Sequence, residues 1–140
     1  MTDKVLIDSN ILVYAFDISD GKKRDHANEV IRKYLENECA VISVQNIGEF
    51  CKNVCEKIPN KLSYQQAKEI SQDIIYSFQV VLYTPETFLR ALDLSSSFGI
   101  HFWDALIAAT MQENNIKEII TENVSDFEKV PWIKAINPFK

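Results

Sequence analysis

The feature that most constrains the fold is an alternation of short apolar runs with longer segments of helical periodicity. Strand-like runs lie at residues 4–7, 40–44, 79–83 and 117–121, and a short fifth run lies at 134–137. The spacing of apolar residues predicts helices at 24–37, 46–57, 64–78 and 102–114, and one from Pro85 to about Gly99. Strands that alternate with helices predict a parallel sheet covered on both faces. We therefore expect an α/β fold with a central, mostly parallel sheet of four to five strands.

Two helix starts and one helix end carry local signals. Ser63 precedes the helix at 64–78 and is a typical N-cap residue. Thr84 is followed by Pro85, and proline is favoured at the first position of a helix. Gly99 is a typical residue at a helix C-terminus. These signals fix the boundaries of two of the predicted helices.

Length and composition are those of an ordinary soluble domain. With 140 residues, no repeat and no composition shift, the chain is expected to form one domain over residues 1–140. No apolar run is long enough for a membrane helix, and the N-terminus lacks the features of a signal peptide. The three cysteines, an odd number, argue against a disulfide framework. We therefore expect a cytoplasmic protein without a membrane partner.

The net charge of −5 argues against nucleic acid as a partner, because nucleic-acid binders usually present a basic surface. That objection weakens if several carboxylates surround a cation, since the metal reverses the local sign of the charge. The basic run Gly-Lys-Lys-Arg at 21–24 has two readings, a phosphate contact or a solvated loop. Charge alone therefore leaves nucleic acid open.

Asp104 interrupts a window, 102–111, that is apolar nearly all round and is typical of a buried helix. Its neighbours three and four residues on are Ile107 and Ala108, so no basic partner lies on its own helical face. An ionised carboxylate left unpaired there would be costly. Asp104 must therefore cap the helix, meet a distant basic residue or bind a metal. The helix dipole alone would also favour an aspartate at this end.

Asp8, Glu49 and the segment 121–127 each have an ordinary structural explanation as well. Asp8 follows the first strand, where Asp-Ser-Asn would serve as a turn or a helix cap. Glu49 lies opposite the apolar stripe of its helix, which is typical of a solvent-facing position. The segment Thr-Glu-Asn-Val-Ser-Asp-Phe at 121–127 has the composition of a turn. No one of these residues indicates a site by itself.

Taken together, the acidic residues indicate a shared site. Asp8 follows the first strand, and Glu122 and Asp126 follow the fourth, so parallel pairing would bring them to one edge of the sheet. Ligands of such sheets bind outside the carboxyl ends of the strands. Three or four carboxylates there would form an oxygen-only site for Mg²⁺ or Mn²⁺, and the ion would relieve their mutual repulsion. Ions held in this way activate water for phosphodiester hydrolysis.

Four motifs carry a resemblance to a known family. They are LIDSNILVYAF from Leu6, ISVQNIGEF from Ile42, WDALIAA from Trp103, and IITENVSDF from Ile119 followed by INPF. In order and spacing, from about residue 4 to the C-terminus, they resemble the PIN domain, and more narrowly the VapC-type toxins of bacterial toxin–antitoxin pairs. The resemblance implies a three-layer α/β/α sandwich and a Mg²⁺- or Mn²⁺-dependent endoribonuclease that uses metal-activated water. It also implies an RNA substrate, a cognate antitoxin and a homodimer.

The resemblance also assigns roles to individual residues. The family's acidic cluster, which would hold the metal and act in catalysis, falls here on Asp8, Glu49 and Asp104. Residues that would support these carboxylates by hydrogen bonds are Ser9, Asn10 and Thr121. The resemblance thus gives Glu49 a role that its helical phase alone does not indicate.

The fourth acidic position is where this chain departs from the family. Many relatives carry Asp in a Thr-x-Asp pattern where this chain has Asn123, which can still coordinate through its carbonyl oxygen but brings no charge. Asp126 is favoured for the fourth position, Asn123 stays an option, and Glu122 is the third choice. The departure leaves open an alternative function, a catalytically weak PIN-like module that binds RNA or protein. A DNA-directed nuclease is disfavoured because no added DNA-binding segment is evident.

Overall fold

Five parallel strands form the centre of the structure, a computed structural model that describes residues 3–140. The strands are β1 (Val5–Ile7), β2 (Ala40–Ser43), β3 (Gln79–Val81), β4 (Glu118–Ile120) and β5 (Lys134–Ile136). They lie in the order β3-β2-β1-β4-β5, and each neighbouring pair is parallel. The parallel sheet expected from the sequence is confirmed, and β1 occupies its middle.

Helices connect the strands and cover both faces of the sheet. Within the described residues they are α1 (Ser9–Phe16), α2 (Gly21–Glu36), α3 (Val44–Glu56), α4 (Tyr64–Ser77), α5 (Pro85–Phe98), α6 (Phe102–Glu113) and α7 (Val124–Phe127). Across residues 3–140, none of these helices combines the length and the hydropathy needed to cross a bilayer.

The side chains of β1 show how the layers are built. Successive residues of a strand point to opposite faces, and Leu6 accordingly packs in the core under α5 and α6, whereas Val5 and Ile7 pack in the core under α1 to α4. All three are at most 4% exposed. A strand buried on both faces accounts for the continuous apolar run after Lys4. The result is the three-layer α/β/α sandwich that the resemblance implied.

The capping signals act as the sequence indicated. Ser63 caps α4 by accepting a hydrogen bond from the backbone N–H of Gln66 at 3.1 Å. Pro85 is the first residue of α5. Gly99 ends that helix with a φ of 73°, a left-handed conformation that glycine adopts without a steric penalty. All three predicted boundaries are therefore confirmed.

The N-terminal helices differ from the sequence prediction, which placed no helix before residue 24. The segment after Asp8 forms α1, and it buries Ile11, Leu12 and Ala15. A run of eight mostly apolar residues does not reveal its period, because strands and short buried helices both produce it. The basic run at 21–24 is the first turn of α2 and not a loop. Asp20 caps this helix by accepting from the backbone N–H of Lys23 at 3.1 Å.

Candidate active site

The candidate site lies at the carboxyl edge of the sheet, where β1 and β4 end side by side. Ile7 and Ile120 are register partners in the parallel pair, so the residues that follow them face each other. Asp8 follows β1 and Thr121 follows β4, and the Thr121 hydroxyl donates to Asp8 Oδ2 at 2.7 Å. The strand pairing thus brings together two residues that are 113 positions apart in the sequence.

Asp8 is the most enclosed carboxylate of the site, at 5% exposure. Its Oδ1 accepts from the Ser9 backbone N–H at 2.8 Å and from Asn46 Nδ2 at 3.2 Å, so Asp8 is both the cap of α1 and a site residue. Burial raises the pKa of Asp8 to about 6, and the charge of Glu49 adds to this rise while the hydrogen bond from Thr121 opposes it. Within residues 3–140 no Lys or Arg pairs with it.

Glu49 lies next to Asp8 because α3 begins at the carboxyl end of β2. The Ser9 hydroxyl donates to Glu49 Oε1 at 3.1 Å and joins the two carboxylates. Gln45, one turn before Glu49, donates to Glu49 Oε2 at 3.4 Å and to the backbone carbonyl of Trp103 at 2.9 Å. The face of α3 that the helical phase marks as solvent is therefore, in its first turns, the face toward the site.

Asp104 lies in the first turn of α6 and meets the segment after β4. Asn123 Nδ2 donates to Asp104 Oδ2 at 2.7 Å and to Asp126 Oδ2 at 3.3 Å, so one amide bridges two carboxylates. Burial raises the pKa of Asp104 to about 7, and the hydrogen bond with Asp126 and the charge of Asp8 act in the same direction. The pKa of Asp126 is lowered, first by that hydrogen bond and then by Lys129, whose Nζ is 2.9 Å from Asp126 Oδ1.

Glu122 turns away from these carboxylates. Its Oε1 accepts from the Tyr14 hydroxyl at 2.6 Å, and its Oε2 pairs with Lys23 Nζ at 2.6 Å. The segment 121–127, expected to be a turn, contains the one-turn helix α7, and this helix places Asp126 on the side of Asp104. Of the three options for the fourth position, Asn123 and Asp126 face Asp104 and Glu122 does not.

The oxygen ligands of the site fit a hard divalent cation, although the carboxylates do not form a preorganised coordination site. Within the described chain, no three Asp, Glu, His or Cys side chains stand close enough to hold an ion. Asp8 and Glu49 are joined through Ser9, and Asp104 is joined to Asp126 through Asn123. Oxygen ligands of this kind suit Mg²⁺ and Mn²⁺. Burial raises the pKa of Asp8 and of Asp104, and the charge of neighbouring carboxylates adds to the rise. A bound cation would favour the charged form of both groups.

Two residues of the site, Gln45 and Asn46, were missed in the sequence. Asn46 is fully buried and forms a capping box with Ser43, in which its Oδ1 accepts from the Ser43 backbone N–H at 3.2 Å and from the hydroxyl at 2.7 Å. Its Nδ2 is then directed at Asp8. A Ser followed three residues later by an amide residue, directly after a strand, was the available signal.

Replacing Asn46 with Ala is expected to destabilise the protein by about 2 kcal/mol, because Asp8 loses a donor and the buried Ser43 N–H loses its acceptor. Urea unfolding measures the change. Asn53→Ala is the matched control, since Asn53 lies on the same helix and its side chain makes no hydrogen bond in the described residues. We expect the control to stay within about 0.5 kcal/mol of the wild type. Equal effects of the two changes would contradict a structural role for the Asn46 amide.

Fold and site together define an α/β/α protein with a carboxylate cluster at the carboxyl edge of a parallel sheet. The model of the PIN domain matches residues 5–133. The chain therefore belongs to the PIN domain family, as its motifs indicated. No curated protein matches its sequence significantly.

Solved structures with this fold come from several bacteria. A toxin–antitoxin complex from Klebsiella pneumoniae contains a chain that is 20% identical, with a TM-score of 0.72 over 98% of this chain and 99% of that one. DNA-bound VapBC from Salmonella typhimurium gives 15% identity and a TM-score of 0.72 over 98% and 99%. VapC20 from Mycobacterium tuberculosis, a Sarcin-Ricin loop cleaving toxin, is 13% identical, with a TM-score of 0.62 over 83% of this chain and 87% of that one. At these identities the likeness is one of fold.

Proposed function

We propose that this chain is a Mg²⁺- or Mn²⁺-dependent endoribonuclease and the toxin of a toxin–antitoxin pair. The observation that carries the proposal is the convergence of Asp8, Glu49 and Asp104 at one sheet edge with no Lys or Arg pairing in residues 3–140. Membership of the PIN domain family supports it. The neighbouring solved structure of a Sarcin-Ricin loop cleaving toxin supports RNA as the substrate class.

In the proposed mechanism the chain's side chains orient the reacting groups. Asp8, Glu49, Asp104 and Asp126 would hold the divalent ion, which would supply Lewis acidity at the scissile phosphate and lower the pKa of water. Thr121 and Asn46 fix the two oxygens of Asp8. Ser9 and Gln45 fix those of Glu49, which stays partly exposed. These neutral donors hold the carboxylates in place without cancelling the charge that attracts the cation.

We assign the fourth position to Asp126, with Asn123 as a neutral bridge between it and Asp104. Asp126 is the acidic residue of this segment that shares a hydrogen-bond partner with Asp104. Glu122 already accepts from Tyr14 and pairs with Lys23. The salt bridge to Lys129 occupies only Oδ1 of Asp126, so Oδ2 remains directed at the site.

Replacing Asn123 with Asp is expected to increase Mn²⁺ affinity about tenfold, because it adds a charge beside Asp104 and Asp126. Isothermal titration calorimetry measures the affinity directly. The same change should lower the melting temperature without metal, since a third carboxylate joins two that already interact. Asn60→Asp, an exposed loop change of equal charge, should alter neither quantity. Unchanged affinity in the Asn123 variant would place this residue outside the ion's reach.

The experiment that tests the function is cleavage of a panel of single-stranded and structured RNAs by purified protein with and without Mn²⁺. We expect cuts that need the metal and disappear with Asp8→Asn. Equal behaviour of wild type and Asp8→Asn would overturn the nuclease proposal. Co-expression with the product of a neighbouring small reading frame tests the antitoxin, and light scattering tests the proposed homodimer.

A binding module with weak turnover is the second candidate function. The observation that favours it is the Asn123 amide, which bonds Asp104 and Asp126 at once and satisfies them without an ion. This candidate requires RNA binding that persists in EDTA and no metal-dependent cuts. Cleavage with Mn²⁺ that Asp8→Asn abolishes would exclude it.

A further inference from the structure

A cavity of ≈ 440 Å³ lies between the start of α2 and the segment after β5. Its lining is unusual for a chain of net charge −5, because it gathers Lys22, Lys23 and Lys140 around Phe139 and His26. The sequence run at 21–24 contributes two of these lysines. Nothing in the proposed metal site uses them, so the cavity needs its own explanation.

Contacts of α1 and of Glu122 connect the cavity with the candidate active site. Thr121, which bonds Asp8, is followed at once by Glu122, which lines the cavity. On α1, Asn10 lies 3.5 Å from Asp8 Oδ2, and Tyr14, one turn further, donates to Glu122 at 2.6 Å. A chain of contacts therefore runs from the acidic cluster to the lysines. An extended ligand that reaches the carboxylates would continue over this surface.

The lining carries three lysines against two carboxylates, so its side chains leave a net positive charge of one. Glu122 pairs with Lys23, and the Lys23 ammonium lies 4.0 Å from the centre of the Tyr14 ring. Asp20 accepts from the first turn of α2 as its cap. Lys22 and Lys140 are exposed and form no ion pair within residues 3–140. These two lysines are available to an anionic ligand.

Phe139 gives the cavity an aromatic surface. Its ring is held edge-on against Tyr14 at 5.4 Å and against His26 at 5.3 Å between centroids. Neighbours on two sides fix the ring while the side chain stays only partly buried. Single-stranded nucleic acid is bound by this combination, in which cations contact phosphates and aromatic rings stack on bases.

We propose that this cavity binds single-stranded RNA beside the cleaved bond, with Lys22 and Lys140 on a phosphate and Phe139 against a base. The inference rests on the proposed function, since it extends the RNA from the acidic cluster. It resolves the conflict between the acidic net charge and an RNA substrate. The chain needs positive charge only where the flanking nucleotides lie, and the cavity supplies it there.

The test measures binding of a short, unstructured, fluorescent oligoribonucleotide by anisotropy with Mg²⁺ present. The Asp104→Asn background prevents cutting during the titration. Changing Lys22 and Lys140 together to Gln is expected to weaken binding about tenfold and to reduce the salt slope by about 0.7 for each phosphate that is no longer neutralised. Phe139→Leu keeps an apolar side chain against Tyr14 but removes the stacking ring. We expect it to weaken binding about fivefold and leave the salt slope unchanged.

Lys57→Gln with Lys61→Gln is the matched control, with the same change in charge at two exposed positions. Lys57 lies at the C-terminal end of α3, which starts at the site and is 13 residues long, or about 20 Å from it. We expect the control to bind RNA like the unsubstituted background. If it weakens binding as much as the cavity variant, the effect is bulk charge and the cavity is not a subsite.

The subsite proposal is overturned if the Lys22 and Lys140 variant keeps the reference affinity and salt slope. It is also overturned if that variant binds RNA normally but loses its antitoxin, because the cavity then serves a protein partner. An RNA cleavage assay on the unsubstituted chain distinguishes a failure of the subsite proposal from a failure of the proposed nuclease function. If the unsubstituted chain cuts RNA with metal but the Lys22 and Lys140 variant binds RNA normally, only the subsite proposal is overturned. If RNA binding depends on the two lysines but the unsubstituted chain does not cut, only the nuclease proposal is overturned.

Discussion

Replacing Asp104 with Asn is expected to reduce RNA cleavage by about 1,000-fold or more while the protein stays folded. The carboxylate lies where Asp8, Asp126 and Asn123 meet α6, and in the proposed mechanism it is a direct ligand of the ion. Losing such a ligand removes several kcal/mol of transition-state stabilisation, and each 1.36 kcal/mol corresponds to a factor of ten. Initial rates on the best RNA of the panel, at saturating Mn²⁺, measure the effect.

Stability distinguishes loss of chemistry from loss of fold in this variant. Burial raises the pKa of Asp104 to about 7, so its charge is unfavourable in the metal-free protein at neutral pH. Asparagine keeps the shape without the charge, and we expect an equal or higher melting temperature in EDTA. Asp93→Asn, at an exposed position of α5, should preserve cleavage. An active Asp104→Asn protein would remove Asp104 from the mechanism, as would growth arrest on expression that this change fails to abolish.

The fold could largely be predicted from the sequence because each strand is a short apolar run and most helices show a helical period of apolar residues. The apolar strand at β1 and the stripe of α4 need no tertiary information to be recognised. The helix α1 was not readable, since eight residues with apolar side chains on most sides have no distinctive period. Its start is marked by Asp8, for which the sequence offered a turn and a helix cap without a means to choose between them.

Some residues of the candidate site could be predicted from the sequence and others could not, for reasons that differ from residue to residue. Asp8 and Asp104 are conspicuous because each is a carboxylate beside apolar residues. Glu49 is not, because its face of α3 meets Ser9 and Asp8 only after the chain has folded. Gln45 was missed for the same reason, as its partner at the Trp103 carbonyl is 58 positions away.

In the segment after β4, the spacing of residues in the sequence does not predict which side chains face the site. Glu122, Asn123 and Asp126 are all near the end of the same strand, and the sequence offers no means to rank their directions. In the structure Glu122, which precedes α7, pairs with Lys23, whereas Asn123 at the N-cap of α7 and Asp126 within it lie beside Asp104. Which of these residues binds an ion remains a prediction.

Divalent metal is expected to restore stability that the metal-free protein loses as the pH rises from 4 to 8. In the folded state the pKa is raised from 3.8 to about 6 for Asp8 and to about 7 for Asp104. The folded protein therefore binds more protons than the unfolded chain across this window, and its stability falls as the pH rises through these values. For the buried Asp8 the rise of about two units corresponds to about 3 kcal/mol. Asp126, whose pKa is lowered, contributes to stability in the opposite sense below this window, because its contribution is lost as the pH falls.

Melting temperatures at pH 5 and pH 8, in EDTA and in Mn²⁺, measure both parts of this prediction. We expect a drop of roughly 10 °C in EDTA between the two pH values, relative to an Asp8→Asn, Asp104→Asn double variant that cannot titrate at these positions. Metal at 100 times its dissociation constant contributes about 2.7 kcal/mol, which is enough to reverse most of that loss at pH 8. The double variant should show neither the drop nor the rescue, and Asp93→Asn should show both. Equal rescue of the double variant by Mn²⁺ would mean that the ion binds elsewhere, because the shared charge of Asp8 and Asp104 is the only feature that the double variant lacks.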